Sequence, residues 1–333
     1  MDFERRIKIV ATAGLVPQNP ISAEDIDRKL NVKEGYTLKK SGAKIRYYAQ
    51  GESSSELGAK AATFVLKNAG MDFKDIDLLI CANATPEQAI PCTAALVQNK
   101  MGQGNSGTPC YDINATCLSF IAAMDTVSYM VAAGKYRRVL IVSTEVVSAG
   151  INWHHKESAI LFGDGAVAVI IESTPEGEGS NIHNSLFKTF GDLYEYVSFP
   201  GGGTKMMADK ESNPHHKKWG FHMSGHNLMK FALKRVPGFI TSLLEPTRMT
   251  LNDLNLIIPH QASGLALELM KKKLKVRDEQ FFLNISERGN IVAASIPMAL
   301  HDAIEKKRLK RKDTALLIGT GAGLSLGGLV IEY

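Results

Sequence analysis

The sequence predicts an α/β protein in which helices cover buried sheets and in which one unit occurs twice. Short apolar runs rich in Leu, Ile and Val alternate with segments of helical length. Two stretches also recur at nearly the same spacing. Met71–Ala84 reappears as Met249–Ala262, an offset of 178 residues, and Leu140–Thr144 reappears as Leu316–Thr320, an offset of 176. One such match can arise by chance, but two at almost one offset predict a duplicated α/β unit.

The elements of this unit follow from the same patterns. Helices are predicted at 92–101, 118–134, 264–274 and 296–306, besides the helix-like segments Ser55–Gly70 and Gly225–Glu245. Strands are predicted at Leu78–Ile80, Cys110–Ile113, Leu256–Ile258, Phe281–Ile285 and Leu326–Tyr333. Ser173–Gly220 combines Gly, Pro, His and charge without periodicity, and we interpret it as a connection with irregular loops. It would join a first half, residues 1–175, to a second, residues 176–333.

Composition and net charge limit the classes of function that the chain can have. The chain has 333 residues, of which 44% are hydrophobic and 22% charged, as in ordinary globular proteins. The net charge of +5 is too modest to imply nucleic-acid binding, and it suits acidic ligands such as coenzyme A or an acidic carrier protein. The basic run Glu305–Lys312 lacks interleaved aromatic residues, so a solvated helix end explains it better. No nucleic-acid partner is expected.

The chain shows no sign of a secreted or membrane protein. It has no signal-peptide apolar region and no run of roughly 18 apolar residues. The four cysteines, Cys81, Cys92, Cys110 and Cys117, lack the spacing of zinc or redox sites. We therefore expect free thiols, no metal site and a cytoplasmic location without membrane association.

Cys117 is the candidate nucleophile. It stands where the strand Cys110–Ile113 turns into a helix. A helix N-terminus lowers the pKa of a thiol and offers free N–H groups, which suits a residue that must become a thiolate and then hold an oxyanion. A buried structural cysteine is the alternative.

His260 and Asn290 follow predicted strands in the second half. Loops at strand ends carry the chemistry of α/β folds, so strand ends of both halves are expected to face one cleft. Taken alone, His260 could be an interior residue whose ring nitrogens are hydrogen-bonded, and Asn290 could be a helix cap after Gly289. The loop Gly319–Gly323 is not a phosphate-binding loop, because no Lys-Ser/Thr follows and Leu324 begins a predicted strand.

Together these motifs resemble the β-ketoacyl-acyl-carrier-protein synthase III family. The motifs are Asn114–Cys117, Pro259–Ala262, Gly289–Pro297 and the Gly319–Gly323 loop, with further matches at Phe162–Ala166 and Ile90–Ala94. The resemblance runs in order from Lys39 to the C-terminal strand. It implies a homodimer with a thiolase-like fold, a duplicated five-layered α-β-α-β-α architecture.

The resemblance also implies the roles of the site residues. Cys117 would take an acyl group from acyl-CoA or an acyl carrier protein, and a malonyl thioester would lose CO2 and attack the acyl-enzyme. His260 and Asn290 would stabilise the enolate, and the backbone N–H groups of Cys117 and Ala322 would hold the acyl oxyanion. No cofactor beyond the coenzyme A thioester substrates is implied.

Further positions are implied to bind substrate. Tyr36 and Lys156 stand near the Trp and Arg that sandwich adenine in relatives, Ser263 replaces an Asn, and Lys230 is a retained carrier-docking lysine, on the same segment as Gly225. Ile90 is expected to close the acyl tunnel of the neighbouring subunit. Leu265 replaces a carrier-docking arginine. These departures favour a specialised fatty-acid or polyketide-like pathway over the initiation of primary fatty-acid synthesis.

Two other functions remain open at this point. An acyltransferase would use the same Cys–His pair to pass an acyl group to an alcohol or amine without decarboxylation. A non-enzymatic partner in a heterodimer is disfavoured, because such partners commonly lose the nucleophile. A cysteine protease is excluded by the missing Cys-Gly-Ser-Cys-Trp signature.

Overall fold

The computed structural model describes residues 4–204 and 220–333. In chain order, the strands are β1 (Ile7–Leu15), β2 (Asn19–Ser22), β3 (Ile45–Tyr48), β4 (Leu78–Ala82), β5 (Cys110–Ile113), β6 (Arg138–Glu145), β7 (Gly165–Ser173), β8 (Asn181–Thr189), β9 (Val197–Ser198), β10 (His222–Met223), β11 (Leu256–Pro259), β12 (Thr314–Gly321) and β13 (Ser325–Glu332). The helices are α1 (Ala23–Leu30), α2 (Tyr36–Ser41), α3 (Ser54–Ala69), α4 (Thr93–Lys100), α5 (Ser119–Ala132), α6 (Lys156–Ala159), α7 (Gly225–Leu244), α8 (Gly264–Leu274), α9 (Ile285–Arg288) and α10 (Ser295–Glu305).

Two large sheets form the frame. The first has the order β1-β7-β6-β4-β5 and the second β11-β12-β13-β8. In the first sheet β4 lies parallel to β5 and β6, and in the second β11 lies parallel to β12. The remaining neighbours are antiparallel, including β6 with β7 and β12 with β13. The two sheets therefore share one arrangement around a parallel pair.

The predicted duplication is confirmed by the register of that pair. Leu79 lies opposite Leu140 in the first sheet, and Ile257 lies opposite Leu316 in the second. The offsets of 178 and 176 residues read from the sequence relate these two pairs. The turn before each strand repeats as well, since the N–H of Asp72 donates to Asp75 (2.9 Å) and that of Thr250 to Asp253 (2.7 Å).

Alternating residues of the strands divide the molecule into five layers. Leu78 and Leu256 face a central core that the helices α5 and α10 share with both sheets. Leu79 faces the other way, toward α3 and α4, and Ile257 faces α7 and α8. Burying both faces of each sheet requires helices on both sides. The predicted α-β-α-β-α architecture is thus confirmed.

The predicted strand at Phe281–Ile285 is wrong. Phe281 makes a single parallel bridge with Ile257, at the place where the first sheet has β5 beside β4. The N–H groups of Asn284 and Ile285 donate instead to Oε1 of the Gln261 side chain, at 3.1 and 3.2 Å. A side chain has taken the hydrogen bonds that a strand neighbour would make, and α9 begins at once.

The interpretation of Ser173–Gly220 as an irregular connection is also wrong in part. The segment contains β8, which forms the edge of the second sheet against β13. Polar residues such as Asn181, His183 and Lys188 interrupt its apolar pattern. Residues 205–219 of this segment lie outside the described residues. The boundary at residues 175 and 176 stays a prediction.

The basic run after α10 makes contacts within the chain. Arg308 donates to the carbonyl of Glu279 at 2.6 Å, and Arg311 donates to that of Ile9 at 2.8 Å. Arg311 also lies 4.0 Å from the ring centroid of Tyr333. These contacts favour a structural interpretation of the run. Across residues 4–204 and 220–333, no helix is long and apolar enough to cross a bilayer.

Candidate active site

A tight turn between β5 and α5 presents Cys117. Thr116, just before it, adopts a left-handed backbone conformation with φ of 54°. A β-branched residue is strained in that region, and such strain is concentrated at functional sites. The Ser119 hydroxyl donates to the Thr116 carbonyl at 2.6 Å and accepts from the Ala115 N–H at 3.0 Å. The turn is held closed, and Cys117 lies at the start of α5.

Two backbone N–H groups are directed at the Cys117 sulfur. One belongs to Cys117 itself and the other to Ala322, in the turn between β12 and β13. Gly321 permits this close approach, because a Cβ there would lie 2.6 Å from Oγ1 of Thr116. The duplicated unit thereby brings a loop of the second half onto the nucleophile turn of the first.

His260 lies beside the same turn. Its backbone N–H donates to the Ile318 carbonyl at 2.8 Å, which continues the pairing of β11 with β12. Gly319 separates it from the nucleophile turn, since a Cβ on Gly319 would lie 2.9 Å from Cβ of His260 and 3.1 Å from Cδ2 of Leu118. Within the described chain, Nδ1 of His260 is buried and has no hydrogen-bond partner. Burial lowers the pKa of this imidazole to about 4, so it is neutral at pH 7.

Asn290 completes the group. Its side-chain oxygen accepts from the N–H of Val292 at 2.9 Å and from the hydroxyl of Ser295 at 3.3 Å. Its side-chain nitrogen lies 3.5 Å from the carbonyl of Ala262, in the turn that follows His260. The amide orientation is therefore fixed, with the N–H groups on the side of the histidine turn.

The electrostatics of Cys117 differ from the sequence prediction. The helix N-terminus was expected to lower the pKa of its thiol, but burial and the negative charge of Glu145 raise that pKa to about 12. The N–H groups of Ala322 and Cys117 oppose this effect without overcoming it. The resting site thus holds a neutral thiol beside a neutral imidazole.

Four of the predicted substrate residues lie at or next to the N-termini of helices. Tyr36 begins α2, Lys156 begins α6, Gly225 begins α7, and Ser263 precedes α8. Tyr36 packs against the apolar cluster that Cys117 also contacts.

Contacts connect these elements in pairs. A Cβ on Gly225 would lie 2.2 Å from Oε1 of Glu157, the residue after Lys156. The hydroxyl of Ser263 lies 3.4 Å from the carbonyl of Lys40 in α2. Lys230 is exposed on α7. The structure thus joins α6 to α7 and α2 to α8.

Comparisons with known proteins agree with this geometry. The profile described as 3-oxoacyl-[acyl-carrier-protein (ACP)] synthase III matches residues 111–191, and its C-terminal counterpart matches residues 244–333. The chain is 33% identical over 330 residues to a β-ketoacyl-[acyl-carrier-protein] synthase III of Campylobacter curvus, covering 98% of this chain and 97% of that protein. The chain belongs to this synthase III family. It is an acyl-transferring condensing enzyme of the thiolase superfamily.

Two further relatives extend this result. The synthase III of Clostridium acetobutylicum is 31% identical over 327 residues, with 98% of each chain covered. The crystal structure of the synthase III of Aquifex aeolicus superimposes with a TM-score of 0.87 at 30% identity, covering 98% of this chain and all of that one. The thiolase-like fold class and the condensing activity predicted from the motifs are thereby confirmed.

Ile90 stands apart from the rest of the synthase III site. It lies in the loop between β4 and α4, and 85% of its surface is exposed in the single chain. This exposure is compatible with a residue that is covered by a second subunit.

Three residues of this synthase III chain were not indicated by the sequence pattern. Trp153 packs against the same apolar cluster as Tyr36, with Nζ of Lys29 3.5 Å from its ring centroid. Gln261 holds the histidine turn, because its Nε2 donates to the carbonyls of Pro259 (2.8 Å) and Phe282 (3.3 Å). Glu145 is buried at the end of β6. An acid that directly follows a buried strand was the available signal for Glu145.

Proposed function

We propose that Cys117 accepts an acyl group from acyl-CoA and that the acyl-enzyme then condenses with a malonyl thioester, which loses CO2. The observation that carries this proposal is the pair of N–H groups, of Cys117 and Ala322, directed at one sulfur atom. Two convergent backbone donors are the usual form of an oxyanion hole in acyl transfer.

The first half-reaction uses the neutral state of the site. As the Cys117 sulfur attacks the thioester carbonyl, its proton passes to the neutral imidazole of His260. The negative oxygen of the tetrahedral intermediate is held by the two N–H groups. The bond to the coenzyme A sulfur then breaks, and that thiolate recovers the proton from His260. A preformed thiolate is not required, which agrees with the raised pKa of the Cys117 thiol.

The second half-reaction uses hydrogen-bond donors and needs no general base. The side-chain amide N–H of Asn290 and the imidazole N–H of neutral His260 donate hydrogen bonds to the carbonyl oxygen of the malonyl thioester. The bond to the carboxylate breaks, CO2 leaves, and the electron pair forms an enolate stabilised by both donors. Its carbon attacks the acyl carbonyl, and Cys117 leaves as a thiolate that takes a proton from water, since the overall reaction consumes one proton. The product is a β-ketoacyl thioester, and no step uses a metal or cofactor.

We infer that an acidic carrier protein delivers one of the thioesters. Lys230 on α7 and Lys272 and Lys273 on α8 are exposed, and the two helices pack together. Lys271 is less available, since its ammonium group lies 2.9 Å from both Glu268 and Asp278. Opposite charge steers such encounters and makes them sensitive to salt.

We also propose that the active form is a homodimer joined at β5. That strand is the edge of the first sheet, and an unpaired edge is a natural site for pairing with another chain. The exposed Ile90 lies in a loop of the adjoining strand β4. In the dimer this residue would reach the neighbour's acyl tunnel. The cytoplasmic location and the specialised pathway stay predictions.

A panel of acyl-CoA substrates tests the proposal. Purified protein is incubated with short, branched and long acyl-CoA, and the intact protein is weighed. We expect a mass gain of one acyl group with the preferred chain, mapped to Cys117 and absent in Cys117→Ala. Transfer of the acyl group to an added alcohol or amine, with no product formed from a malonyl thioester, would support the acyltransferase instead.

A further inference from the structure

Glu145 is a buried carboxylate that the proposed steps do not use. It is the last residue of β6 and has no exposed surface. The groups that donate to it are neutral: the N–H of Ala84 at 2.6 Å, the N–H of Thr85 at 3.2 Å, the Thr85 hydroxyl, and the N–H of Ala293. Burial is costly for a charge that has only neutral partners.

The donors belong to two separate parts of the site. Ala84 lies next to the nucleophile turn, since its carbonyl accepts from Nδ2 of Asn114 at 3.2 Å. The preceding carbonyl, of Asn83, lies 3.3 Å from the hydroxyl oxygen of Ser119. Ala293 lies in the turn that directly follows Asn290. One carboxylate therefore connects the support of the nucleophile to the turn that carries the proposed enolate donor.

The charge of this group also acts on the nucleophile. The Glu145 carboxylate raises the pKa of the Cys117 thiol, second only to burial. Burial raises the pKa of Glu145 itself to about 7, against the effect of its donors. At pH 8 the carboxylate is thus mostly ionised and disfavours a thiolate on Cys117.

We propose that Glu145 is a positioning residue, whose carboxylate holds the Asn290 turn against the nucleophile turn while its charge adds to the effect of burial in disfavouring a thiolate on Cys117. The inference rests on the proposed roles of Cys117 and Asn290. A purely structural carboxylate would satisfy the same N–H groups, but its removal would lower stability and every activity together. The two proposed roles predict opposite changes when the Glu145 charge is removed. Alkylation of Cys117 should become faster, and decarboxylation of the malonyl thioester should become slower.

Two variants separate the charge from the geometry. Glu145→Gln keeps the volume and one acceptor oxygen, removes the charge, and turns an NH2 group toward N–H donors. Glu145→Asp keeps the charge but is one methylene too short to reach both loops. The matched control is Glu87→Gln, because Glu87 is an exposed acid of the same loop whose carboxylate accepts from the N–H of Ser55 at 2.6 Å.

The first measurement is alkylation of Cys117 by iodoacetamide at pH 8, followed on its peptide by mass spectrometry, and it needs no substrate. Each unit by which the thiol pKa falls gives about tenfold more thiolate, so we expect Glu145→Gln to react roughly 10-fold faster. Glu145→Asp and Glu87→Gln should react like the wild type. Unchanged alkylation of Glu145→Gln would overturn the proposed effect of the charge.

The second measurement is CO2 release from malonyl-CoA by the same proteins. Misplacing the Asn290 turn removes a preorganised donor, so we expect a fall on the order of 10-fold or more in both Glu145 variants and none in Glu87→Gln. An active wild type with equally active Glu145 variants would overturn the positioning role. A wild type that releases no CO2 would refute the proposed function, and the alkylation comparison would then decide on Glu145 by itself.

Discussion

The backbone N–H of Ala322 is directed at the sulfur of Cys117, although one residue follows a strand of the second sheet and the other a strand of the first. This relationship depends on the packing of the two halves, since the loop after β5 meets the loop after β12. In the proposed mechanism it also lets the enzyme work from a neutral thiol, because the two N–H groups proposed to hold the oxyanion are in place before the acyl group arrives.

The state of Cys117 gives the first prediction. Burial and Glu145 raise the pKa of its thiol to about 12, so the thiolate fraction grows tenfold per pH unit well above neutrality. Iodoacetamide labelling of the Cys117 peptide should be slow at pH 7 and still rising between pH 8 and 10. A rate that is already constant from pH 6 to 8 would show that the helix N-terminus dominates, as the sequence alone suggested.

Asn290→Ala should separate the two half-reactions. In the proposed mechanism, acyl transfer to Cys117 depends on His260 and the two N–H groups, so acylation by acyl-CoA should persist. Decarboxylation of the malonyl thioester should fall on the order of 100-fold, because one enolate donor is lost. Intact mass and CO2 release measure the two steps. Unaltered CO2 release would refute the role of Asn290.

Gly319→Ala tests the contact between the nucleophile turn and His260. The added methyl group would lie 2.9 Å from Cβ of His260, so a strand must shift. We expect a loss of about 1–3 kcal/mol in the free energy of unfolding and a fall in acylation rate. Gly238→Ala is the control, since a Cβ there meets nothing within 4 Å and lies in α7. If both variants acylate normally, His260 is not held through Gly319.

Substitutions of Ile90 should change the preference for acyl chain length. If Ile90 closes the tunnel of the neighbouring subunit, Ile90→Phe should favour shorter acyl groups and Ile90→Ala longer ones. A methylene in an apolar pocket is worth about 1–3 kcal/mol, so the shift should reach roughly 10-fold. Acylation of Cys117 by short-chain and long-chain acyl-CoA is compared in both variants. A parallel fall for all chain lengths would mean that Ile90 only supports the dimer.

The fold was predictable where apolar periodicity was strong and repeated. The parallel pairs of β4 with β6 and β11 with β12 could be placed because Leu140–Thr144 and its counterpart Leu316–Thr320 recur at one offset and each begins with three apolar residues. Phe281–Ile285 is also mostly apolar, yet the Gln261 side chain takes the N–H groups of Asn284 and Ile285. No local pattern reveals a competitor from another loop.

The site was predictable to a similar extent. Cys117 and His260 follow strands, as predicted, whereas Asn290 follows α9 instead of the predicted strand. Glu145 was not indicated, because one acid after an apolar strand is typical of a solvated strand end. Its burial results from the packing of the Ala84 and Ala293 loops, which are far apart in sequence. Contacts among three loops cannot be read from any one of them.

The central claim is that the Cys117 thiol carries the acyl group and that the enolate formed from the malonyl thioester then takes this acyl group from the sulfur. A single-turnover experiment measures this directly: Cys117 is first acylated with the preferred acyl-CoA, excess substrate is removed, and malonyl thioester is added. We predict that the acyl mass disappears from the protein while CO2 and a β-ketoacyl thioester are formed. Each product should appear in an amount about equal to that of the acyl group lost. Acyl groups that stay on Cys117, or that leave by transfer or hydrolysis without CO2 and without a longer chain, would contradict the account.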